Sequence, residues 1–204
     1  MPRDKTESHN RIIDAARKEF LEYGFADASL RRIAAGAGIQ VSGLYKHFSS
    51  KEEMFASLVD PAIEGLMERY RQIESSYFAG IEQRDPGDQW TDQREMVQLM
   101  EYIYDHQDAF RLIICNSRGT RYAEFTHELA VLEEEVTLRY MQELKKGGHP
   151  VREVDEREFH LLVTASLEAV FQAVIHDFDK KEAMHYAETL EQFYLPAWKA
   201  LFGL

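Results

Sequence analysis

Four residues with base-reading chemistry stand together in this chain: Gln40, Val41, Ser42 and Gly43. A Gln amide can donate to and accept from an adenine edge, a Ser hydroxyl pairs with several edges, and Val can touch a thymine methyl. Gly43 leaves room for a backbone to come close. Tyr45, Lys46, His47 and Lys51 surround this stretch with hydrogen-bond donors. Donors of that kind hold phosphate oxygens and fix a protein on DNA without specifying sequence. The whole chain is acidic, with 24 Lys and Arg against 36 Asp and Glu and a formal charge of −12. Yet the 24 residues from Ala28 to Lys51 contain no carboxylate, while they carry Arg31, Arg32, Lys46, Lys51 and His47. Repulsion is thereby removed where phosphates would lie.

The elements that carry these residues read as helices. Ile12, Ala16 and Phe20 recur at spacing four, which predicts a first helix over Ser8–Tyr23, ended by Gly24. Ser29 is expected to cap a short second helix, Ser29–Ala37, through its side chain. Gly38 permits a tight turn into a third, Gln40–His47. Two short helices joined through a glycine and preceded by a third have the proportions of a helix-turn-helix, whose second helix enters the major groove. Ser50 and Glu53 form a capping box for a fourth helix, in which Pro61 is expected to cause a kink or break near Leu58. Residues 84–89, RDPGDQ, read as a loop. Further helices are expected at Gln89–His106, Asp108–Asn116, Arg121–Lys146, Glu153–Asp177 and Lys181–Phe202. No strand pattern of period two is present. The expected fold is all-α, and the charge divides it: residues 1–52 are net +2 and residues 53–204 are net −14. These are the two expected domains.

The segment Ser29–Phe55, SLRRIAAGAGIQVSGLYKHFSSKEEMF, resembles the DNA-binding segment of the tetracycline-repressor (TetR) family of bacterial regulators. The matching parts are Ile33-Ala34, Ala37-Gly38-Ile39, Gly43-Leu44-Tyr45-x-His47-Phe48 and Lys51-Glu52. The resemblance covers about residues 8–58, and beyond it the chain agrees with the family only in length and helicity. It implies that Gln40, Val41, Ser42 and Gly43 read bases, that Tyr45 and His47 hold phosphates, and that Lys51 with the start of the fourth helix grips another; Lys46 beside them is expected to contact the DNA backbone. It also implies that Ser29 presents a helix N-terminus to the backbone and that Arg31 reaches a base or phosphate.

The C-terminal part offers less specific chemistry. An apolar cavity with a few polar groups would suit a small-molecule effector, and Leu99, Ile103, His106, Phe110, Ile114, Phe125 and Leu129 are its candidate lining. The run Glu133-Glu134-Glu135 is most simply a solvated face, with a cationic ligand as the sharper alternative. Apolar stripes run through the last two helices and exceed what one seam requires. They comprise Phe159, Leu162, Val163, Ser166 and Val170, then Leu190, Phe193, Ala197 and Leu201. In the resembled family the last two helices pair with their copies as a four-helix bundle, which implies a two-fold dimer. No histidine spacing points to a metal, and no nucleophile motif is present. Cys115, in the apolar run RLIICN, reads as a buried thiol.

The resulting expectation is a cytoplasmic, homodimeric repressor, released from a palindromic duplex operator by an effector, without cofactor, metal or membrane partner. Two alternatives compete with it. One is an activator. The other is a helical enzyme using Glu101, Asp105 and Asp108 near His106.

Overall fold

The computed structural model describes residues 5–81 and 94–204. The expected loop at residues 84–89 and the first turns of the helix expected from Gln89 lie outside the described residues. Among those described, every regular element is a helix: α1 (Lys5–Asp27), α2 (Leu30–Gly36), α3 (Val41–Leu44), α4 (Lys51–Gly80), α5 (Glu95–Asp105), α6 (Gln107–Cys115), a 3-10 turn (Arg121–Glu124), α7 (Phe125–Lys146), α8 (Glu156–Ile175) and α9 (Lys180–Phe202). They form two compact units. The first runs through Glu64 and adds His106–Ala123; the second comprises Gly65–Asp105 and Glu124–Leu204.

The first unit closes on Ile12, Ala16 and Phe20 of α1, the repeating positions, together with Ile33, Leu44, Phe48, Met54 and Phe55. Phe55 meets Phe20 and Phe25 edge-on, with centroids 5.2 and 5.5 Å apart, the geometry that aromatic quadrupoles favour. Gly24 adopts φ +71°, so the first helix bends there, and helical hydrogen bonding resumes for one more turn. Asn116 braces the bend. Its Nδ2 donates to the carbonyls of Phe20 (2.7 Å) and Leu21 (3.0 Å), and its own carbonyl accepts from Phe25 N–H at 2.9 Å.

Pro61 does not end α4, which is one helix from Lys51 to Gly80. Proline removes one ladder bond, but Val59 and Ala62 on either side of it are buried, and the packing of that face holds the helix together. The acidic residue just before it, Asp60, accepts from the Tyr122 hydroxyl at 2.5 Å and from Arg121 at 3.0 Å. Burial first, and then the bond to Asp60, push the Tyr122 hydroxyl up to about 12. Cys115 is exposed at the end of α6, not buried, because the inward positions of that helix belong to Phe110, Leu112 and Ile113.

In the second unit α9 runs along α5, and α7 along α8. Asp155 caps α8 by accepting from the N–H groups of Arg157 and Glu158, and Asp179 with Glu182 forms a capping box for α9. The core includes Met100, Ile103, Leu144, Phe171 and Phe202. With a mean hydropathy of 1.4, α8 is long and apolar enough to cross a membrane by length and composition alone. Its residues Phe159, Val163, Leu167, Val170, Phe171 and Val174 are buried within the chain, as in a core helix.

Candidate nucleic-acid interface and ligand cavity

In the first unit the sequence from Ile33 to Phe48 builds a tight pair of short helices. Ala37 N–H donates to Ile33 O (2.9 Å), Ile39 N–H reaches back to Ala34 O (3.0 Å), and Gly38 sits at φ +67° between them. A side chain is strained at that φ, which is why glycine serves there. Gln40, in extended conformation, precedes α3 and accepts from Gly43 N–H at 2.8 Å. Leu44 and Phe48 turn inward. Gln40, Ser42, Tyr45 and Lys46 point out, as does Arg31 on α2. Tyr45 is 56% exposed, unusual for a large aromatic side chain and suited to a hydroxyl that meets an external partner. Val41 and Gly43 are half-buried, and Gly43 lies against Ile39. His47 is half-buried, its ring 5.7 Å from that of His9, which in turn stacks on Phe48.

Three residues of this segment have contacts that the linear sequence does not show. Ser29 makes no side-chain cap; its N–H instead donates to the buried carboxylate of Glu19 at 2.7 Å. The N-terminus of α2 thus already holds an anion supplied by α1. Glu19 also takes Arg32 Nε at 2.7 Å, while the Arg32 guanidinium lies 4.1 Å over the Tyr23 ring. That charge is directed into the unit. Lys51 Nζ donates to the carbonyls of Phe25 (2.7 Å) and Ala28 (3.3 Å) and sits 4.4 Å over the Phe25 ring, clamping the start of α4 to the α1–α2 connection. The capping box of α4 is displaced by one residue. Ser50 Oγ accepts from Glu53 N–H, and the Glu53 carboxylate takes Ser49 N–H and hydroxyl.

The second unit holds a cavity of about 210 Å³. Leu99 and Leu129 line it. Ile103 and Phe125 are buried in the same unit but off its wall. Phe110 is in the core of the first unit, Ile114 is half-buried there, and His106 is exposed at φ −125°, the break between α5 and α6. That break assigns α6 to the first unit, so a pattern read through it mixes residues of two cores. α4 supplies the largest share of the cavity wall, and of the apolar stripe on α8 Phe159, Val163, Ser166 and Val170 face it. Leu190 is buried and Leu201 half-buried, whereas Leu162, Phe193 and Ala197 are exposed. Leu161 (68%) and Phe193 (70%) are the most exposed large apolar side chains described. Asp105 pairs with Lys180 at 2.5 Å, and Glu101, His106 and Asp108 are exposed.

The cavity also contains polar groups, of which only Glu133 was singled out in the sequence, as the sharper alternative to a solvated face. Glu95, Glu133 and Glu191 line it together with Tyr70, Tyr77 and Tyr140. Tyr70 donates to Glu133 at 2.7 Å, and Thr137 adds a second bond at 3.2 Å. Tyr77 donates to Glu95, and the Met96 and Val97 amides donate to Glu191. Burial, then the Glu133 charge, push Glu95 up to about 8; burial raises Glu133 and Glu191 as well. Tyr70 and Tyr77 are raised strongly, by burial first and then by the same carboxylates. The signal for Glu133 lay in spacing. With Leu129, Thr137 and Tyr140 it follows one face of α7, whereas Glu135 falls on the exposed side.

The first unit is thus a helix-turn-helix domain whose stretch from Ala28 to Lys51 carries no carboxylate and leaves Arg31, Gln40, Ser42, Tyr45 and Lys46 exposed. Residues 12–58 match the family described as bacterial regulatory proteins, tetR family, and this segment is a DNA-binding segment of that type. The chain is 42% identical over 65 residues to the HTH-type transcriptional repressor KstR2 of Mycobacterium tuberculosis, covering 32% of each chain. It is 25% identical over 122 residues to the HTH-type transcriptional regulator SAR2658 of Staphylococcus aureus, covering 60% of this chain and 62% of the relative. The chain therefore spans between a third and three-fifths of the curated relatives it matches. The fold as a whole is similar to that of SmeT solved with triclosan, with a TM-score of 0.64, 21% identity, and 93% and 90% of the two chains covered.

Proposed function

We propose that this protein is a homodimeric, effector-responsive transcriptional repressor of the cytoplasm, not an enzyme, and needs no cofactor. The observation that carries this reading is the TetR-family segment 12–58, whose Arg31, Gln40, Ser42, Tyr45 and Lys46 are exposed and belong to a stretch, Ala28 to Lys51, without carboxylates. Gln40, Val41, Ser42 and Gly43 read bases in the major groove. Tyr45, Lys46 and His47 hold phosphates, with the Ser29 hydroxyl at the edge. Residues 1–52 carry this activity, and residues 53–204 carry effector binding and dimerisation. Lys51 contributes by holding α4 against α1 through the carbonyls of Phe25 and Ala28.

The effector site is the cavity of the second unit, with Leu99 and Leu129 in its wall. A similarly folded regulator, SmeT, has been solved with the small molecule triclosan. The dimer is formed by the outer faces of α8 and α9, where Leu161, Leu162, Phe193 and Ala197 are exposed. A two-fold dimer matches a palindromic operator with half-sites one helical turn apart. An effector that binds the DNA-incompetent conformation more tightly weakens DNA binding, and DNA weakens effector binding by the same factor.

The test is a titration against a labelled duplex carrying the DNA upstream of the protein's own gene, at two salt concentrations. Binding about 10³-fold or more tighter than to random duplex, falling steeply with salt, is expected. Binding equal to random duplex there and to every other promoter fragment of the source genome would overturn it.

A further inference from the structure

The geometry points to an organic cation with an apolar body, an amine or a quaternary ammonium, as the ligand of the second-unit cavity. This rests on the cavity being the effector site and goes further, to the chemistry of the effector.

Three observations converge. The first is the carboxylates. Glu95, Glu133 and Glu191 come from three helices, α5, α7 and α9, and meet on one cavity wall. None of them has a Lys, Arg or His partner at ion-pair distance among the described residues. Arg139 pairs with Glu74, and Arg94 pairs with Glu188 while its charge also reaches Glu191; Arg69, a cationic member of the lining, lies 4.8 Å over the Tyr102 ring and forms no ion pair with Glu95 or Glu133. Buried carboxylates without cations are costly.

The second observation is an orphaned atom. Glu95 Oε1 has no accessible surface and no hydrogen-bond partner. The Glu95 residue as a whole is only partly covered, but the charge-bearing oxygen decides the energetics, and it is enclosed. Tyr77 satisfies the carboxylate on one side only. Native structures leave few such atoms, and a ligand donor or positive charge is a direct way to satisfy one.

The third is the remaining wall. Tyr70, Tyr77, Tyr140 and Trp198 stand beside Leu99, Leu129 and Val163. Aromatic rings with negative faces attract cations, and most strongly where water is excluded. Burial raises the carboxylates, so the cavity is poised to ionise when a cation enters. An anionic effector, or a neutral one without a hydrogen-bond donor, would meet the same wall without relieving it, and a neutral donor would leave the carboxylate charge uncompensated.

Benzyltrimethylammonium and its neutral isostere, neopentylbenzene, separate charge from shape. Their dissociation constants are measured by calorimetry on the full chain at pH 8, for the wild type and for Glu95→Gln with Glu133→Gln. The expected result is saturable binding of the cation, at least 10-fold tighter than the hydrocarbon. In the double variant the cation should weaken at least 10-fold while the hydrocarbon is unchanged. Equal affinity for the two probes would overturn the proposal. So would an undiminished cation affinity in the double variant, or no saturable cation binding to a wild type with a cooperative melt. A duplex titration in parallel keeps the two readings apart. Specific DNA binding without cation binding sinks only the cation site. Cation binding that depends on the two Glu, without specific DNA binding, upholds the cation site and sinks the regulator reading.

Discussion

Lys51 offers a sharp separation between holding the fold and holding DNA. In the TetR-family pattern a lysine at this position would grip a phosphate. Here its Nζ donates to the carbonyls of Phe25 at 2.7 Å and Ala28 at 3.3 Å, over the Phe25 ring. Replacing Lys51 with Met keeps the stem and deletes those bonds. A charge-assisted hydrogen bond contributes about 1.5–3 kcal/mol, and the side chain is half-exposed. A net loss of about 1–2 kcal/mol is therefore reasonable after allowance for solvent screening. For a domain of this size each kcal/mol lowers the melting temperature by roughly 2–4 °C, so Lys51→Met should lower it by about 2–8 °C. DNA affinity should also fall, because the start of α4 is less well held. The slope of log affinity against log salt should not change, since no phosphate contact is lost. Lys46→Ala serves as the contrast: it should leave the melt unchanged and reduce the slope by about one. If Lys51→Met left the melting temperature unchanged and reduced the slope by one, the clamp would be wrong and Lys51 would be a phosphate ligand.

Three further outcomes follow from the second unit. A methyl group at Gly65 would overlap the Tyr102 hydroxyl; Gly65→Ala should therefore cost about 1–3 kcal/mol and weaken probe binding in the cavity, as read by melting and calorimetry. Glu95 is raised to about 8, so the folded chain binds its proton more tightly than the unfolded chain does. Its contribution to stability is present below the ordinary carboxylate range and is lost as pH rises through about 8. Glu95→Gln should accordingly match the wild type near pH 5 and exceed it at pH 9, on the order of 2–4 kcal/mol at about 1.4 kcal/mol per pKa unit. Equal pH profiles would contradict this. Leu161→Glu with Phe193→Glu, on the exposed faces of α8 and α9, should yield a monomer in sedimentation and weaken operator binding, whereas a retained dimer would move the interface elsewhere.

The local punctuation of the chain could be read from the sequence, and its long-range contacts could not. Gly38 and Ser50 set the ends of short helices because each acts on its own backbone, Gly24 bends the first helix where it was expected to end it, and the inward Leu44 and Phe48 followed from spacing. Pro61 does not end its helix, as one of the two expected outcomes had it. A local rule forecasts a break or kink, but burial of Val59 and Ala62 holds α4 together as one helix. The grip of Glu19 on Ser29 and Arg32 spans 10 and 13 residues, and that of Lys51 on Phe25 spans 26, which no periodicity encodes. In α8 two apolar faces share one helix. Phe159, Val163, Ser166 and Val170 turn toward the cavity while Leu161 and Leu162 stay exposed. Spacing alone cannot say which face meets what. The cavity carboxylates were hidden most thoroughly, since Glu133 sits in an acidic run whose other members meet solvent or His160.

The central claim is sequence-specific binding of duplex DNA by the surface around α3. Selection from a library of random duplexes with the purified full chain tests it most directly, followed by the same selection with Gln40→Ala. An inverted repeat with half-sites about one helical turn apart should be enriched. Relaxed preference at one base pair, at the same place in both half-sites, is expected for the variant. Recovery of no common sequence, or of one whose preferences are unmoved by Gln40→Ala together with Ser42→Ala, would contradict it.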